Sequence, residues 1–106
     1  MRELQAGSST ELDLTTAAMM AELFSTMSDA SRVRIIAALS TAEEMNVGDL
    51  AEQVGISHSA VSHHLRHLRQ MRLVRARKDG RYVYYALDDE HVHDLFRCGL
   101  EHVTHG

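Results

Sequence analysis

The sequence predicts a mostly α-helical winged helix-turn-helix domain carrying one small β-hairpin. Two observations carry most of that reading. Two amphipathic helical stretches flank Gly55-Ile56-Ser57, and the second turns a small, polar and basic face outward. A pair of Val/Tyr-rich runs then brackets Asp79-Gly80, a strong two-residue hairpin signal. The chain's 106 residues, 44% hydrophobic and 25% charged, match one globular domain. A chain of this size buries a modest fraction of its surface, so a partner subunit is an expected source of extra core. No apolar run approaches the roughly 18 residues of a membrane span, and MRELQAGSSTELD lacks an apolar signal core. The expected setting is the cytoplasm, without membrane contact. One cysteine, Cys98, supports neither an intrachain disulfide framework nor a Cys-rich zinc site.

Residues 1–12 are polar and are expected to form a flexible tail; the domain proper is expected over residues 13–106. From Leu14, apolar residues recur at helical spacing (Leu14, Ala17, Ala18, Ala21, Phe24), and Met20, Leu23 and Met27 widen the face enough to meet more than one neighbour. Ser28-Asp29 offers an N-cap for a second helix with Val33, Ile36 and Leu39 inward. Asn46 caps a short third helix containing Val47, Leu50, Ala51 and Val54, which Gly55 ends because a left-handed cap suits glycine.

Ser57 caps a fourth helix over residues 57–71, with Val61, Leu65 and Leu68 buried. Its opposite face then holds Ser59, Ser62, His63 and Arg66, the composition of a helix that reads a DNA groove. The hairpin follows, with residue 78 expected opposite 81 and 74 opposite 85. That register puts Val74, Ala76, Val83 and Tyr85 on one side and Arg75, Arg77, Tyr82 and Tyr84 on the other. Its tip, Lys78 and Arg81, is placed to reach phosphates. Charge agrees. The chain has a net charge of −4, yet residues 57–81 hold Arg66, Arg69, Arg72, Arg75, Arg77, Lys78 and Arg81 against Asp79 alone. A local positive block is what a polyanion meets.

The last segment, LDDEHVHDLFRCGLEHVTHG, reads as a helix capped by Asp88 or Asp89, carrying Asp89, His91, His102 and His105. His91 and His102 share a face about three turns apart, some 16 Å, far beyond the ~2 Å of a zinc–nitrogen bond. One helix cannot close that set. Two antiparallel copies can, with Asp89 and His91 of one meeting His102 and His105 of the other around a twofold near residue 97. Three imidazoles and a carboxylate suit tetrahedral Zn(II) or Co(II) and leave no open position for catalysis, so no enzymatic activity is expected. His93 points elsewhere, and His58, His63, His64 and His67 lie on the DNA-facing helix. Cys98 sits beside the inferred crossing as a small interface residue. The alternative is a winged-helix regulator governed by Cys98 oxidation or a small molecule, with zinc absent or structural.

Together DASRVRIIAAL, VGDLAEQVGISHSAVSHHLRHLR, LVRARKDGRYVYYAL and DDEHVHDLFRCGLEHVTH resemble the ArsR/SmtB family of metal-responsive repressors over about residues 14–105. The resemblance implies a homodimer that binds operator DNA when metal-free and releases it on binding metal. It implies metal ligands at Asp89, His91, His102 and His105, of the zinc- and cobalt-sensing type. For DNA it implies Ser59, Ser62 and His63 in the major groove, Ser57 and His58 at the helix start, and Arg77, Lys78 and Arg81 on the wing. Relatives that sense through the third helix resemble ELCVGDL, where this chain has EMNVGDL, so Asn46 argues against soft-metal or arsenic sensing there. Nickel ranks below zinc and cobalt because the N-terminus offers no histidine.

Overall fold

The computed structural model describes residues 11–105. The elements run α1 (Leu14–Met27), α2 (Ala30–Thr41), β1 (Met45–Asn46), α3 (Val47–Val54), α4 (His58–Gln70), β2 (Val74–Asp79), β3 (Tyr82–Leu87) and α5 (Glu90–His105). This is the winged helix-turn-helix expected from the sequence. The tail expected over residues 1–12 lies outside the described residues except for Glu11 and Leu12.

Side-chain caps set the starts of the helices. Asp13 accepts from the Thr16 N–H at 2.7 Å, Asp29 from Arg32 at 3.1 Å, Asn46 from Asp49 at 2.8 Å and Ser57 from Ala60 at 3.1 Å. Each satisfies an N–H that the helix itself leaves unpaired. Gly55, at φ 80°, ends α3 while its N–H and that of Ile56 close on the Ala51 carbonyl at 2.8 and 3.2 Å. The same device ends α4 without a glycine. The Arg72 N–H returns to Arg69 at 3.0 Å and Leu73 to Leu68 at 2.9 Å, with Arg72 itself at φ 59°.

The core forms where α2, α3 and α4 meet the sheet. Ile35, Ile36, Leu39, Leu50, Val61, Leu65, Leu68 and Val74 are fully enclosed, and no polar or charged residue is buried among the described residues. Ile36 and Leu39 point inward as expected, but Val33 does not: it is 39% exposed, and Ile35 takes the buried place. Val33 instead borders an apolar groove of about 290 Å³ with Met27, Phe96, Leu100 and Val103. α2 is covered on two sides, so a single inward stripe understates its buried arc.

The sheet corrects two further expectations. Its order is β1-β3-β2, and β1, too short to show alternation, pairs Met45 with Tyr85 and Asn46 with Tyr84. The hairpin register is two residues away from the expected one: Asp79 faces Tyr82 and Val74 faces Leu87, leaving Gly80-Arg81 as the loop. Gly80, at φ 63°, takes the first loop position, where a mirror-image turn needs positive φ. A two-residue shift preserves side-chain parity, so the apolar and basic-aromatic faces are those expected.

Arg72 gives a stability test. A non-glycine residue in the left-handed region costs about 1–2 kcal/mol, while glycine's extra unfolded-state freedom costs about 0.5–1 kcal/mol. Arg72→Gly is expected to stabilise the fold by about 0.5–1 kcal/mol in urea denaturation.

Candidate nucleic-acid interface and metal centre

Burial of Val61, Leu65 and Leu68 sets the roll of α4, and that roll turns Ser59, Ser62, His63 and Arg66 to solvent, with Ser57 and His58 exposed at its start. Ser57 Oγ also lies 3.3 Å from Ser59 Oγ, so the capping hydroxyl joins the exposed polar face. The His63 ring meets the His67 ring edge-on at 4.7 Å between centroids. Arg69, which the sequence reading did not single out, lines a groove of about 390 Å³ with Ser62, Arg66 and Tyr85, between α4 and the hairpin. Its spacing from Ser62 and Arg66, at i+7 and i+3, was the available signal.

On the hairpin, Lys78 and Arg81 are exposed at the tip. Arg77 is otherwise engaged. Its guanidinium pairs with both carboxylate oxygens of Glu44, approaches Asp79 at 3.7 Å and stacks over the Tyr84 ring at 5.0 Å. The hydrogen bond between them raises the Arg77 pKa and lowers that of Glu44. The wing is thereby tied to the segment joining α2 and β1.

At the start of α5 the Asp89 carboxylate divides its work. Oδ1 accepts from the Val92 N–H at 3.2 Å and caps the helix, while Oδ2 lies 3.5 Å from His91 Nδ1. The His91 side chain is 94% exposed, so its ring is open to a ligand from outside the chain. His102 and His105 are exposed in the last turns of the same helix, one at eleven and one at fourteen residues from His91. The structure thus brings Asp89 to His91 and leaves His102 and His105 apart from them. Among the described residues, no three His, Cys, Asp or Glu side chains of the chain converge as a metal site. Cys98 is a free, exposed thiol on α5.

A helix exposing serine, histidine and arginine beside a basic hairpin wing is the architecture of a DNA-binding winged-helix regulator, not an enzyme. The model of the bacterial regulatory proteins of the arsR family matches residues 29–76. The transcriptional repressor SmtB homolog of Synechocystis is 48% identical over 92 residues, covering 87% of this chain and 69% of that protein. The cadmium resistance regulatory protein CadC homolog of Staphylococcus aureus is 41% identical over 83 residues, covering 78% and 69%. The solution structure of a homodimeric winged helix-turn-helix DNA-binding domain from Mycobacterium bovis superposes with a TM-score of 0.76 at 26% identity, covering 93% of this chain and 96% of that one. This chain belongs to the ArsR/SmtB family of metal-responsive repressors.

The Glu44–Arg77 pair gives a direct test of the wing. Glu44→Gln frees the guanidinium for phosphate, so DNA affinity is expected to rise and the slope of log affinity against log salt to steepen by about one. Fluorescence anisotropy over a salt series reads both.

Proposed function

We propose that this chain is a homodimeric, cytoplasmic repressor that holds operator DNA when metal-free and releases it when Zn(II) or Co(II) binds at two intersubunit sites. Each site takes Asp89 and His91 from one protomer and His102 and His105 from the other. The observation that carries this reading is the arrangement of Asp89: its capping bond through Oδ1 aims Oδ2 at the exposed His91 ring. The other two imidazoles stand at the far end of the same helix, about 16 Å (His102) and about 21 Å (His105) along it from His91 at 1.5 Å per residue. Donors so divided fit a set completed by a second chain, and three imidazoles with one carboxylate suit a tetrahedral borderline cation.

The surface supports a partner copy. α1 buries no residue, and Leu14 at 86% and Val103 at 78% exposure, with Met19, Phe24 and Leu100, leave apolar surface on α1 and α5. Gly99, whose added Cβ would meet nothing within 4 Å, stands at the middle of α5 on the apolar groove. In the dimer, Ser57, His58, Ser59, Ser62, His63 and Arg66 address the groove and its flanking phosphates, with Lys78 and Arg81 at the wing tip. Arg77 joins them once released from Glu44.

Bound metal would supply a cross-link between the two α5 helices. The recognition helices must stand about 34–36 Å apart to meet successive half-sites, so α5 geometry and DNA affinity are linked. The linkage is reciprocal: operator DNA weakens metal binding by the same factor. Metal ligation needs neutral imidazoles, so protons compete with the metal and acidification weakens sensing.

The decisive experiment titrates Zn²⁺ into chelator-treated protein while following bound metal per protomer and anisotropy of labelled DNA. Wild type should bind one tight zinc per protomer and release DNA. His102→Ala should bind metal-free DNA as wild type does and fail to release it with zinc. Asp89→Asn should keep the helix cap, since asparagine caps as well as aspartate, yet lose tight zinc. Equal release by wild type and His102→Ala would overturn the assignment. A separate expectation concerns assembly: Val103→Glu should shift the protein toward monomer in sedimentation velocity.

A further inference from the structure

One polar cluster outside these sites joins three helices. Arg32, in the first turn of α2, donates from Nε to Nδ1 of His64 on α4 at 3.0 Å, and from Nη1 to the Thr26 carbonyl in the last turn of α1 at 3.1 Å. That carbonyl is among those α1 leaves unpaired at its C-terminus. Asp29, while capping α2, places Oδ2 3.9 Å from His64 Nε2. The His64 side chain is only 16% exposed, although the neighbouring His63 faces solvent on the groove-reading side.

The chemistry fixes the state of His64. A guanidinium has donors and no acceptor, so His64 Nδ1 must accept and carries no proton. The proton of the neutral ring then sits on Nε2, toward Asp29. We propose that Arg32 and neutral His64 form a proton-sensitive latch that positions the recognition helix α4 against α1 and α2, making His64 a positioning residue for DNA binding. This rests on the DNA-binding reading of α4 and adds to it a device independent of metal.

Protonation at Nδ1 removes the acceptor and sets an imidazolium against a guanidinium. The charged and titratable groups around the ring are Asp29 and Arg32 from α2 and His63 and His67 from α4; α1 contributes the Thr26 carbonyl. Burial pushes the His64 pKa down, Asp29 opposes it, and Arg32 and His63 add to the fall. A histidine held neutral in the folded state stabilises it at higher pH and loses that contribution as pH falls through the ordinary histidine range. The latch therefore opens on acidification. Protonated imidazoles elsewhere on α4 would attract phosphate, so only a comparison at residue 64 isolates the effect.

The test uses full-length, chelator-treated protein and a labelled duplex selected by it from a random-sequence pool. Anisotropy is measured at about pH 7.5 and about pH 5.5, on either side of the histidine range, at constant ionic strength. His64→Asn places an amide oxygen where Nδ1 stood and does not titrate. It should bind within about twofold of wild type at the higher pH and about tenfold tighter than wild type at the lower, the scale of one hydrogen bond to a charged group. His64→Leu, which removes the acceptor, should bind more weakly than wild type at the higher pH, with thermal melting confirming a folded protein. Parallel pH profiles for wild type and His64→Asn would overturn the latch. A second readout needs no DNA: long-range ¹H–¹⁵N spectra should show His64 protonated on Nε2 alone at neutral pH. A proton on Nδ1 would overturn the latch, whereas failure to select any duplex would count against the DNA-binding reading itself.

Discussion

The buried stripe of α4 is the constraint on which the rest of the molecule depends. Val61, Leu65 and Leu68 are enclosed against α2 and α3, and Leu73 and Val74 continue the same core into the first strand of the wing. Burying those side chains, at roughly 1.5–3 kcal/mol each, far outweighs any surface interaction and leaves α4 a single roll. Ser59, Ser62, His63 and Arg66 face outward as a consequence. Because the chain passes from α4 to β2 through Arg72 and Leu73, the same packing also aims the hairpin beside the helix.

Around that core, polar side chains at helix ends act twice. Asp89 caps α5 with one oxygen and meets His91 with the other. Asp29 caps α2 and lies beside His64, while Arg32 reaches both α4 and the C-terminal end of α1. The Asp89 carboxylate, satisfied on Oδ1 by a backbone N–H, is held in one orientation, so its Oδ2 is presented without further ordering cost. Asp29 instead uses Oδ2 both for its cap and beside His64. Both the proposed metal site and the proposed latch draw on this economy of donors and acceptors. They act on different helices, α5 and α4, and respond to different ligands, metal and proton.

Much of this was legible along the chain because it depends on near neighbours in sequence. The caps at Asp29, Asn46 and Ser57, the glycine after α3, the inward stripe of α4 and the parity of the hairpin faces all follow from local spacing. The misplacements came where distant segments compete. Val33 was expected inward, but α5 and the end of α1 share that side of α2 and leave it on an open groove. β1 escaped notice because two residues carry no periodicity; its existence depends on pairing with β3. The hairpin register moved by two residues because Asp79 joins the strand and Gly80 takes the turn position that requires positive φ.

Arg77 marks the boundary between the two kinds of information. The sequence by itself determined a winged helix-turn-helix, the residues its fourth helix exposes, and a last helix whose four ligand-type side chains one copy cannot gather. Each rests on helical or strand periodicity, which is a property of the backbone and needs no knowledge of the neighbours. Tertiary structure alone decided that Arg77 is held by Glu44 and that His64 accepts from Arg32. Hydrogen bonds and ion pairs demand contact distances of about 3 Å, and both of these join residues more than thirty positions apart. Only the packed core brings such segments to that range.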